Sequence, residues 1–179
     1  MEVFADRKIN QMIIRAAKLE DIPQIAKTHV QSWRTTYVGQ VPQSYLDELS
    51  IPKRKIAWAE ALSRPDHRMF VVESKEVILG FSSFGPSRDD DASPHTGELY
   101  AIYLTEENKG LGIGKSLWAQ TSQALKELGF VEITLWVLDT NQKARDFYSR
   151  IGFVIDDKEK TVNIGGIDAT ELRYRIKIS

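Results

Sequence analysis

The sequence contains no cysteine. That absence removes disulfides, thiolate metal sites and a cysteine nucleophile from consideration. It has no apolar run near the ~20 residues that a bilayer-spanning helix needs. The opening MEVFADRKIN has no apolar h-region, so neither a membrane span nor a secretory signal is expected, and the cytoplasm is the default compartment. Neither charge is in surplus: 24 Lys and Arg stand against 25 Asp and Glu, which argues against nucleic-acid and membrane partners. His29, His67 and His95 lack metal-ligand spacing, so no metal is expected. Internal repeats and low-complexity segments are missing as well. What remains is ordinary for a globular protein, with 42% hydrophobic and 27% charged residues over 179 positions. One domain over 1–179, with a core from about 12 to 178, is the natural reading.

The chain is organised around Glu98 to Leu125. Leu99–Leu104 is rich in aromatic and branched residues and reads as a strand, and Thr105-Glu106-Glu107-Asn108 breaks it. Gly110, Gly112 and Gly114 alternate with Leu111 and Ile113, and Leu117, Thr121, Ala124, Leu125 and Leu128 then recur at helical spacing. A glycine-rich turn that opens a helix presents unpaired backbone amides at the positive end of the helix dipole, which suits a phosphate.

Three phosphate-binding patterns compete for this turn. A Walker A loop needs a glycine five residues before Gly114-Lys115-Ser116, and that position is Lys109. A dinucleotide fingerprint needs G-x-G-x-x-G, whereas the glycines here run G-x-G-x-G. The third pattern is Arg or Gln, two variable residues, Gly, one variable residue, then Gly or Ala. Lys109-Gly110-Leu111-Gly112-Ile113-Gly114 fits it with Lys in first place, which keeps the charge and loses the planar fork.

Along the rest of the chain, Met12–Ala17 reads as a strand. Asp21 to about Thr35 reads as a helix with Ile22, Ile25, Ala26, His29, Val30 and Trp33 on one stripe and Pro23 in its first turn. A short helix from Pro42 to Leu49 and another from Pro52 to Ser63 follow. Met69–Glu73 and Val77–Phe84 form a hairpin by spacing. Arg88 to His95 is a polar, acidic loop. Glu132–Leu138 is a strand, Thr140–Arg150 a helix, and Phe153–Ile155 and Leu172–Ile178 are the final strands. The order β-α-α-β-β-β-α-β-α-β-β describes an α+β domain with helices on both faces of a mixed sheet.

On the glycine turn, this order, and Asn141-Gln142-Lys143-Ala144-Arg145-Asp146-Phe147-Tyr148-Ser149-Arg150-Ile151-Gly152-Phe153, which looks like N-x-x-A-x-x-F-Y-x-x-x-G-F, the chain resembles the GNAT superfamily of acyl-CoA-dependent N-acetyltransferases from about residue 12 to 178. The resemblance implies a mostly antiparallel sheet and acetyl-CoA as co-substrate, its pyrophosphate held by Lys109, Gly110, Leu111, Gly112, Ile113, Gly114 and Lys115. It also implies that the backbone of Ile102, Tyr103 and Leu104 pairs with the pantetheine arm, beside a bulge that splays this strand. Glu98 then stands as the base that works through water. Tyr148 stands as the acid for the departing thiolate, and Asn141 as a coenzyme contact or a helix cap.

Trp33, Tyr37 and Tyr45 fall where the family walls its acceptor pocket, with core packing as the competing role. Asp89-Asp90-Asp91 either attracts a cationic amine or forms a solvated flexible loop. The expected partner is a small-molecule or peptide amine, and a homodimer is allowed for. A non-catalytic acetyl-CoA-binding sensor or partner-binding module is the alternative. Nucleotide-dependent phosphotransfer through Gly114-Lys115-Ser116 is a third reading.

Overall fold

The computed structural model describes residues 12–178. The reading of Met1–Gln11 as a polar, peripheral segment lies outside the described residues. The strands are β1 (Ile13–Ala16), β2 (Arg68–Ser74), β3 (Val77–Pro86), β4 (Thr96–Leu104), β5 (Glu132–Leu138), β6 (Val154–Ile164) and β7 (Ile167–Lys177). The helices are α1 (Ile22–Thr36), α2 (Gln43–Glu48), α3 (Ile51–Ser63), α4 (Ile113–Glu127) and α5 (Gln142–Arg150). Three helices therefore separate β1 from β2, one more than the compressed order counts.

The strands form one sheet in the order β1-β2-β3-β4-β5-β7-β6, antiparallel except between β4 and β5. On one face α1 and α3 bury Ile22, Ile25 and Trp58 against Met69, Val71 and Phe81. The other face packs under α4 and α5, with Leu99, Leu117, Leu125, Ile133, Leu135, Tyr148 and Phe153 shared between two clusters. Burial of these side chains supplies most of the drive to fold, at about 25 cal/mol per Å² of apolar area. Local chemistry sets the helix starts. Ser50 Oγ accepts from Lys53 N–H at the start of α3, and Asn141 Oδ1 accepts from Ala144 N–H at the start of α5.

The final hairpin differs from the sequence reading. The sequence reading ended its strand at Ile155, but β6 continues through the charged residues that follow; after a register break over 156–158 it pairs with β7 from Glu159–Leu172 out to the Gly165-Gly166 turn. Those two glycines have φ +61° and +89°, which a two-residue hairpin turn of the mirror-image type requires. β6 is an edge strand with most of its side chains exposed, so a charged sequence costs it little.

Two irregularities shape the middle of the sheet. β4 and β5 pair only through Thr96–Glu132, Gly97–Ile133 and Glu98–Thr134, after which Leu99–Leu104 has no partner on that side. Across β3 the register steps from Phe84–Leu99 to Ser83–Ala101, which leaves Tyr100 as the extra residue of a bulge. The sheet opens into a cleft just past Glu98, with the bulge at its apex.

Candidate active site

The glycine turn lies on the α4 side of the cleft. Gly110 and Gly112 have φ +75° and +80°, with open space where a Cβ would stand. Conformation, not crowding, is what demands glycine at these two positions. The backbone amides of Gly110, Leu111, Gly112, Ile113, Gly114 and Lys115 take part in no hydrogen bond among the described residues. They form the open first turn of a 15-residue helix. Lys115 is exposed. Lys109 Nζ reaches Glu106 at 2.6 Å and Thr36 Oγ1 at 3.4 Å, so its charge is already engaged by a surface carboxylate.

The unpaired segment of β4 carries Ile102, Tyr103 and Leu104. The Leu104 carbonyl accepts from Ser32 Oγ at 3.0 Å, which ties α1 to the edge of the cleft. The Tyr103 side chain points to the α1 side, where its hydroxyl accepts from Trp33 Nε1 at 3.0 Å. Trp33 packs on Tyr37, with ring centres 4.5 Å apart, and the Tyr37 hydroxyl accepts from Asn141 Nδ2 at 3.3 Å. Trp33, Tyr37 and Tyr45 all belong to the packing around Val30, Leu46 and Leu138, so their role in the core is plain. Asn141 is buried; with one end capping α5 and the other holding Tyr37, its amide serves the protein at both ends.

Tyr148 is buried on α5, and Tyr37 lies close enough to disfavour its ionisation. Burial is the larger cause of its raised pKa and keeps the phenol protonated throughout the working range. Tyr37 and Tyr103 accept hydrogen bonds from Asn141 and Trp33. The Tyr148 hydroxyl has no such partner among the described residues.

Glu98 is 1% exposed at the end of the parallel pairing. Its Oε2 accepts from the Arg88 backbone N–H at 3.0 Å and from Arg88 Nε at 3.1 Å, and its Oε1 accepts from Arg88 Nη2 at 2.5 Å. The sequence reading did not single out Arg88; its only signal was a lone arginine ahead of an acidic run. Asp89, Asp90 and Asp91 fit neither reading offered for them. Asp89 accepts from Trp136 Nε1 and from Arg173, and Asp91 accepts twice from Arg173, which also bonds Asp156. Only Asp90 is left exposed without such a tie, so the loop is pinned to β5 and β7 rather than free.

His29 packs behind the aromatic wall between Trp33, Trp58 and Tyr103. Its Nδ1 accepts from Trp58 Nε1, and its buried Nε2 has no partner among the described residues. Burial, and then Arg54, push its pKa down to about 3, so the ring is neutral. No group of three or more His, Cys, Asp or Glu among the described residues could hold a metal ion.

The family model for the acetyltransferase (GNAT) family matches residues 28–153. An uncharacterised N-acetyltransferase of Bacillus subtilis, YuaI, is 43% identical over 129 residues, which is 72% of each chain. A probable N-acetyltransferase of Mycobacterium tuberculosis, Rv2775, is 31% identical over 94% of this chain and 95% of its own. Among solved structures, the PaiA N-acetyltransferase of Thermoplasma acidophilum in complex with coenzyme A superposes with a TM-score of 0.73 at 22% identity. The match covers 93% of this chain and 99% of that one.

Proposed function

The chain belongs to the GNAT acetyltransferase family and is an acyltransferase that uses acetyl-CoA; we propose that it moves the acetyl group to a primary amine of a small molecule or peptide by direct attack. The observation that carries this reading is the cleft itself. A run of free backbone amides opens on one side, an unpaired strand edge follows, and a phenol without a partner stands within the packing around it. The amides from Gly110 to Lys115 hold the pyrophosphate, with Lys109 released from Glu106 to join them. The β4 edge at Ile102, Tyr103 and Leu104 pairs with the pantetheine as an added strand would. Asn141 contributes by fixing the start of α5, and Trp33 and Tyr37 wall the acceptor side.

A free alkylamine has a pKa near ~10.4, so only its neutral fraction attacks. Its lone pair forms the C–N bond at the thioester carbonyl. The C–S bond then breaks, with its electron pair going to sulfur. One proton leaves nitrogen through water toward Glu98, whose Oε1 accepts one hydrogen bond from Arg88 and keeps a lone pair for another donor. Tyr148 donates to the sulfur as charge develops there and is reprotonated from solvent.

The test is acetylation of an amine panel followed by thiol release, in wild type, Tyr148→Phe and Glu98→Gln. Wild type is expected to turn over, Tyr148→Phe to lose rate while coenzyme affinity holds, and Glu98→Gln to lose most at low pH. Tight acetyl-CoA binding with no transfer to any amine would instead favour a sensor.

A further inference from the structure

Resting on the acetyltransferase reading above, we infer that Arg88 is the residue that selects the acceptor, and that the acceptor carries a carboxylate within a few bonds of its amine, as an α-amino acid does. The Arg88 side chain is 61% exposed, while the Glu98 side chain that anchors it is 2% exposed. One edge of the guanidinium, Nε and Nη2, is spent on that buried carboxylate, and the backbone N–H of the same residue adds a third bond. Nη1 has no hydrogen-bond partner among the described residues and remains on the solvent side. The plane is further fixed by lying 4.4 Å from the centre of the Tyr100 ring, whose hydroxyl donates to the Pro86 carbonyl at 2.6 Å. A long, exposed arginine normally samples many rotamers. This one is held at its root, along one edge and across its face, which presents a fixed donor edge to an incoming anion.

Its position gives the fork a use. Tyr100 is the bulge residue at the apex of the β4–β5 cleft, and Glu98 is the last residue of the parallel pairing. An amine that reaches the thioester at this apex has Arg88 beside it, on the face opposite the pyrophosphate turn. Arg64 and Arg68 stand close to His67, whose ring lies 5.1 Å from that of Tyr100, and Arg64 is paired with Asp66, so Arg68 adds positive charge near Arg88. The nearby Asp89 is already bound through both oxygens to Trp136 and Arg173. Of the three aspartates that follow Arg88 only Asp90 is exposed without a tie, and the Glu98 carboxylate is already held by Arg88.

The experiment compares L-amino acids with their matched carboxamides as acceptors, under saturating acetyl-CoA, in wild type, Arg88→Ala and Arg88→Lys. Each pair is reduced to a ratio of kcat/KM, acid over amide, corrected for the neutral amine fraction. Any loss of active protein cancels within a variant. Wild type is expected to prefer the acid, the ratio to fall about 10- to 100-fold in Arg88→Ala, and to fall less in Arg88→Lys, which keeps the charge without the fork. An unchanged ratio in both variants overturns the inference, as does a wild type that acetylates amides or simple amines and no free amino acid. Both of those outcomes leave the acetyltransferase reading standing. Failure of the wild type to bind acetyl-CoA in the same buffer would overturn that reading instead.

Discussion

The two sides of the cleft are built from different materials. On the α4 side the candidate coenzyme site is backbone: amides of consecutive residues, set by two glycines of positive φ and a helix start. On the α1 side the candidate acceptor wall is side chain, drawn from α1, β4, the 87–95 loop, β5 and β7, and tied by long-range bonds such as Trp33–Tyr103 and Arg88–Glu98. A backbone site needs a compact sequence, because neighbours in space are neighbours in the chain. A side-chain site needs only that distant residues meet, and it can be rebuilt for a new acceptor without disturbing the cradle.

The largest expected effect falls where the two sides meet. Tyr148→Phe should cut kcat about 100-fold or more in single-turnover assays, with the coenzyme dissociation constant unchanged. A matched loss in binding would place Tyr148 on the coenzyme side as a packing residue. Next comes the cradle itself. Gly112→Val forces a β-branched residue to φ +80°, and coenzyme affinity by calorimetry should fall roughly 30- to 100-fold while acceptor discrimination stays as it was. If discrimination changed with it, the two sides would not be separable in the way described.

The third test probes the aromatic packing of the candidate acceptor side through pH. His29 is neutral in the fold with its pKa pushed down to about 3, whereas an unfolded histidine titrates near ~6.5. Between those values the unfolded chain binds more protons. Stability is therefore full above pH ~6.5 and is lost as pH falls toward 3, with a limiting slope of about 1.4 kcal/mol per unit. Urea titrations of wild type and His29→Gln at pH 6.5 and 5 should show wild type losing about 1–2 kcal/mol more, and parallel losses would contradict the account of the buried ring. The smallest effect belongs to the exposed lysine. Lys115→Ala should weaken coenzyme binding only about threefold, with a reduced salt dependence, because the amides do the holding.

The same contrast governs how much could be read in advance. The turn from Lys109 to Gly114, the β5 strand and the start of α5 at Asn141 are written in consecutive residues with strong local preferences, and the structure places them as expected. The extension of β6 through its charged run was hidden, because an edge strand open to solvent has no apolar alternation to display. A bulge in β4 was implied by the resemblance, but its place at Tyr100 was hidden, since it depends on the register of β3 against β4 and leaves no mark on β4 alone. Glu98 drew notice as a carboxylate near the central strand, but its anchoring by Arg88 joins residues ten apart in sequence through a loop whose path the sequence does not fix. The pinning of Asp89 and Asp91 by Arg173 spans more than eighty residues and was equally invisible.

The measurement that bears most directly on this account is the thermal stability of the full chain with acetyl-CoA, coenzyme A, NADH and ATP–magnesium in parallel. A ligand at a hundred times its dissociation constant stabilises the fold by about 2.7 kcal/mol, or about 5–11 °C for a chain of this size. The account predicts a shift of that order with the two coenzyme A forms and none with the other two. No shift with either coenzyme form, or a shift with ATP–magnesium in their place, would contradict it.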